Sequence, residues 1–120
     1  MDYISYMQHT PMTVVEMPTF LRDAKGMDEN ERAALVLHLA SNPACGDVMP
    51  GTGGVRKVRW AREGSGKRGG YRVIFYYYNE TLPLFALALY AKNEKIHLTK
   101  TECNEIAKIV KVLQGYGRKS

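Results

Sequence analysis

The spacing of apolar and polar positions changes along this chain, and the changes outline its elements. Thr13 to Met17 (TVVEM) is a short β-branched run that predicts a strand. Pro18 can open a helix and Gly26 can close one, so Thr19 to Lys25 is predicted helical. From Glu29 to Ala40 the apolar positions Ala33, Val36, Leu37 and Ala40 recur at helical spacing, and Leu35 and Leu39 widen the stripe. Asp28 followed by Glu31 supplies capping-box spacing in front of that helix, and Asn42-Pro43 ends it.

The second half reads differently. Val55 to Ala61 alternates, with Val55, Lys57 and Arg59 on one face and Arg56, Val58 and Trp60 on the other. Tyr71 to Asn79 is aromatic and β-branched, and Leu84 to Ala91 is apolar on both faces, as a central strand would be. Thr99 and Glu102 form another capping box before a stripe of Cys103, Ile106, Ala107, Val110 and Leu113, closed by Gly115. The loops CGDVMPGTGG and EGSGKRGG flank the first long strand. The predicted order is β-α-α-β-β-β-α, an α+β fold. Its sheet is mainly antiparallel and four-stranded, with helices packed on one face and the other face left to water or a ligand.

At 120 residues the chain is expected to form one domain. Residues 1–12 read as a flexible extension, 13–114 as the folded unit and 115–120 as a basic tail. The longest apolar run, LFALALYA, is far too short to span a bilayer, and the first residues lack the charged flank and apolar stretch of a signal peptide. Cys45 and Cys103 stand in no metal-ligand spacing, so neither a disulfide framework nor a zinc set is expected, and no cofactor motif occurs. Two free thiols without an export signal predict a cytoplasmic protein with no membrane partner.

Charge redirects the reading toward function. Between Val55 and Arg72 stand seven cations (Arg56, Lys57, Arg59, Arg62, Lys67, Arg68 and Arg72) against Glu63 alone, within a chain of net charge +5. The residues before that segment are net negative. Cations interleaved with strand formers and glycines suit a polyanion, above all a nucleic-acid backbone. Arginines can pair phosphates bidentately, and Tyr71, Tyr76 and Tyr78 offer rings for bases to stack on. A solvated outer sheet face with an ordinary basic loop is the bland alternative. The glycines match no phosphate-binding P-loop, and His9, His38 and His97 are scattered.

The stretch NPACGDVMPGTGGVRKVRWAREGSGKRGGYRVIFYYY, followed by LYAKNEKIHLT, resembles the RelE/HigB superfamily of bacterial toxins, most closely the phage- and plasmid-type HigB branch. The resemblance runs from about Val14 to Leu113. It implies a RelE-like fold and a type II toxin that enters the ribosomal A site and cuts messenger RNA as a metal-independent endoribonuclease. It also implies a cognate antitoxin, of helix-turn-helix type, that covers or distorts the active surface. By position in the motif, Lys57, Arg59 and Arg72 stand where the family places catalytic cations, and Lys92 stands where a further one follows the last strand. Arg56, Arg62, Lys67, Arg68, Tyr71 and Lys95 complete the expected RNA-binding set. Many relatives use a tyrosine near the last helix; here HLTKTE puts Thr99 near that place, with His97 as the partial substitute. Two other functions share the same features: a non-catalytic RNA- or ribosome-binding module, and a ParE-like toxin that poisons gyrase.

Overall fold

The computed structural model describes residues 11–61, 70–91 and 97–119. Its elements are β1 (Val14–Glu16), α1 (Pro18–Asp23) continued by a 3-10 turn (Ala24–Gly26), α2 (Glu29–Ser41), β2 (Asp47–Val48), β3 (Val55–Trp60), β4 (Tyr71–Tyr76), β5 (Leu84–Ala91) and α3 (Lys100–Lys119). Pro18 occupies the first position of α1, where its missing N–H costs nothing. The Asp28 carboxylate accepts from the backbone N–H of Asn30 and Glu31 and caps α2. At α3 the box closes in both directions: Thr99 Oγ1 accepts from Glu102 N at 3.1 Å, and Glu102 Oε1 accepts from Thr99 N at 2.8 Å.

The sheet runs β1-β5-β4-β3-β2. β1 lies parallel to β5, and the other neighbours are antiparallel. Among the described residues the sheet thus has five strands where the sequence pattern predicts four. The addition is β2, drawn from the glycine-rich loop, which pairs Asp47 with Lys57 and Val48 with Arg56. Two residues are too few to show any alternation.

Helices cover both faces, where the pattern predicts one. Phe20, Ala24, Leu35 and Leu39 from α1, its turn and α2 pack on Val73, Phe75, Leu84, Ala86 and Leu89. On the reverse face Ile106, Val110 and Leu113 of α3 pack on Val55, Ile74, Tyr76, Leu87, Ala88 and Tyr90. The cause is visible in β4 and β5, which are apolar on both sides; a one-sided arrangement would leave that second apolar face in water.

α3 also runs on to Lys119, through Gly115 and Gly117 and through the segment read as a tail. Each helical glycine costs about 1 kcal/mol. Packing offsets that cost. The Tyr78 ring lies so close to Gly117 that a Cβ there would collide with it, and Gln114 Nε2 donates to Gly53 O at 3.0 Å. The extension assigned to residues 1–12 lies almost wholly outside the described residues.

Candidate nucleic-acid interface

Pleating decides which way the β3 side chains point. Val55, Lys57 and Arg59 face the α3 side, and Val58 and Trp60 pack with α1 and α2. Antiparallel register then sets Arg72 opposite Arg59 and Ile74 opposite Lys57. On the next strand Tyr90 stands opposite Arg72 and Ala88 opposite Ile74. The register of β4 and β5 shifts between Ile74 and Phe75, with Leu87 as the extra residue. Without that bulge Tyr90 would fall on the other face.

The shared face is apolar at one end and cationic at the other. α3 covers the end built from Val55, Ile74 and Tyr76. At the far end Arg59 is exposed, while Lys57 and Arg72 are half-buried. Directly opposed side chains lie about 5 Å apart at Cβ, and like charges so placed repel. The Nη1 group of Arg72 is buried and, among the described residues, has no hydrogen-bond partner. A buried unpaired donor is costly, more so on a charged group. An oxyanion held on this row would relieve the repulsion.

The remaining candidates disperse. Arg56 points to the opposite face, where its Nη1 donates to Ala44 O at 3.0 Å and holds the loop before β2. Its guanidinium serves the fold there and does not join the cation row. Tyr71 is likewise turned away, half-buried against the α1/α2 core opposite Trp60. Trp60 in turn meets the His38 ring at 5.4 Å. The hydroxyl of Thr99 is committed to the cap of α3, and His97 is exposed just before it. Arg62, Lys67, Arg68, Lys92 and Lys95 lie outside the described residues.

Two glycine-loop features hold β3 in place. Thr52, 3 % exposed, donates from Oγ1 to Met49 O at 2.6 Å and accepts from Val55 N at 3.1 Å, fixing the strand's entry. Gly46 adopts φ 75° and passes so close to Lys57 O and Val58 Cβ that no side chain fits. Beside it the Cys45 thiol is pushed up by burial, partly countered by its own backbone hydrogen bond and by the nearby Arg56 charge.

Two members of this arrangement escape the sequence reading. Tyr90 is hidden because β5 is apolar on both faces and its alternation carries no signal; a bulge is not visible in such a run. Thr52 looks like one more polar loop residue until burial shows both sides of its hydroxyl in use. Among the described residues no group of three or more His, Cys, Asp or Glu is placed to hold a metal ion, and no helix is long and apolar enough to cross a membrane.

Residues 23–120 match the family model described as the RelE toxin of the RelE / RelB toxin-antitoxin system. The fold is similar to that of a mutant E. coli toxin RelE in the free state. The TM-score is 0.53, covering 82% of this chain and 95% of that chain at 14% sequence identity.

Proposed function

This chain belongs to the RelE toxin family, and we propose that it is the toxin of a type II toxin-antitoxin system, a ribosome-dependent endoribonuclease that cuts messenger RNA during translation. The observation that carries the reading is the cation row: Arg59 opposite Arg72, Lys57 on the same face, and a buried Arg72 N–H among described residues that offer it no acceptor. The long GDVMPGTGG and GKRGGYR motifs support a place in the HigB-type branch.

Cleaving RNA in this way needs three things: the ribose 2′-OH must attack the adjacent phosphate, the crowded phosphorane must be stabilised, and the 5′-oxygen must leave protonated. Arginine does not release its proton at working pH, so Arg59 and Arg72 hold the phosphate oxygens as charge accumulates on them. Lys57 assists as base or holds the attacking nucleotide. Lys92 and the loop cations Lys67 and Arg68 complete the set, serving the leaving oxygen and the flanking phosphates. A site of cations with so little acid-base equipment gains most from a ribosome that presents the substrate already aligned. A cognate antitoxin silences such a site by covering or distorting the row.

Induction of the protein in growing bacteria, with message ends mapped, tests the reading. In-frame cleavage is the expected result. Intact messages with DNA damage would point to gyrase poisoning, and intact messages without damage to plain RNA binding.

A further inference from the structure

The cation row does not stop at Arg72. It continues in register to Tyr90, and Tyr90 lines a cavity of about 820 Å³ between α1, α3 and the edge of β5. β1 pairs with β5 only over Leu84 to Ala86, so the edge from Leu87 to Ala91 opens onto this cavity. Neighbouring strands lie about 4.8 Å apart, so one strand spacing separates the backbone beneath Arg72 from the cavity wall. A nucleotide whose phosphate rests on the arginines therefore has the cavity within reach of its base.

The lining suits that occupant. Met17, Leu98, Ile106 and Ile109 provide apolar walls, and Tyr90 contributes an aromatic ring. The volume falls among those of small-molecule sites, roughly 300–1,000 Å³. Four charged residues stand at the lining: Arg22, Asp23, which accepts from Leu89 N, Glu102, which accepts from Thr99 N, and Glu105, which is exposed. An ionised carboxylate only accepts hydrogen bonds, so it repels phosphate and attracts N–H groups. Adenine, cytosine and guanine each carry an exocyclic amine. Uracil offers a single N–H flanked by two carbonyl oxygens, a poor match for an acceptor.

We propose that this cavity receives a nucleobase of the message whose phosphate lies on Arg59 and Arg72, and that Glu105 favours bases bearing an exocyclic amine. The inference rests on the RNA-cutting reading and names the subsite that would set its codon preference.

The test uses the full chain and 2′-O-methyl RNA oligonucleotides, which cannot be cut, carrying 2-aminopurine at successive positions. One position should be quenched on binding to the wild type, and Tyr90→Leu, which removes the aromatic ring from the cavity wall, should abolish that quench while binding persists. Glu105→Gln should erase a preference between cytosine and uracil at that position, on the order of 10-fold, in cleavage of ribosome-bound messages. No binding, binding with no quenched position, or a quench that persists in folded Tyr90→Leu overturns the subsite. Unchanged preference in Glu105→Gln overturns the role of the carboxylate. Wild-type protein that leaves ribosome-bound messages whole overturns the cleavage reading instead, and the quench still decides whether the cavity takes a base.

Discussion

Arg59 and Arg72 face each other across the antiparallel pair β3 and β4, two guanidinium groups on one side of the sheet. A fold selected for stability alone would place an opposite charge or an uncharged β-former at one of these positions. Arg59→Thr is therefore expected to raise stability by about 0.5 kcal/mol, since it removes a like-charge pair from a strand position. The same change should lower message cleavage by on the order of 100-fold through loss of charge stabilisation. Urea denaturation and a translating-ribosome cleavage assay measure the two effects. A variant that is both destabilised and fully active would remove Arg59 from the site.

Lys57 separates proton transfer from simple grip. Lys57→Ala should leave the circular dichroism spectrum unchanged and reduce cleavage on the order of 10² to 10⁴-fold. Lys57→Arg keeps the charge without an accessible neutral form. If it restores most of the rate, the lysine holds phosphate; if it is as slow as alanine, the lysine moves a proton.

Gly46 and Gly51 share φ 75° and differ in surroundings. A side chain at Gly46 would meet the Lys57 carbonyl and the Val58 side chain, whereas one at Gly51 would meet open space. Gly51→Ala should cost about 1 kcal/mol, the strain of the left-handed backbone alone. Gly46→Ala should cost at least about 2 kcal/mol more and depress cleavage too, because it displaces the strand that carries Lys57. Equal losses in thermal denaturation would mean that the contact with β3 does not matter.

Arg56 makes the opposite case to Arg59. Its guanidinium donates to the Ala44 carbonyl behind the sheet. Arg56→Ala should cost about 1 kcal/mol of stability and leave the cleavage rate of the folded protein within threefold of wild type. A loss of cleavage as large as that of Arg59→Thr would place Arg56 on the substrate.

Burial lifts the Cys45 thiol above its ordinary value of 9.0. Alkylation proceeds through the thiolate, so a raised value delays the rise of rate with pH. In a Cys103→Ser background, labelling by iodoacetamide should still be climbing above pH 9. A plateau below pH 8.5 would show that the Arg56 charge outweighs desolvation.

Much of this arrangement is written locally. The capping residues Asp28, Thr99 and Glu102 act within one helical turn and mark the starts of α2 and α3. The alternation of Val55 to Trp60 puts Lys57 and Arg59 on one side by pleat alone, since the period of a strand needs no partner. The concentration of cations between Val55 and Arg72 and the long glycine motifs that carry the family resemblance are equally local.

Other features depend on pairings that no local pattern contains. Tyr71 has the composition of a stacking platform, yet strand register puts it beside Trp60 and against the α1/α2 core. Gly115 looks like a helix stop, but Tyr78 and Gly53, far away in sequence, hold α3 through it. What the sequence by itself determined was every element but β2, the face shared by Lys57 and Arg59, and the concentration of cations on one segment, because periodicity, caps and composition act over a few residues. Only the tertiary structure decided that Tyr90 extends the row of Lys57, Arg59 and Arg72, that Arg56 leaves it and that α3 closes the second face, because register and helix docking are settled by burial between distant segments.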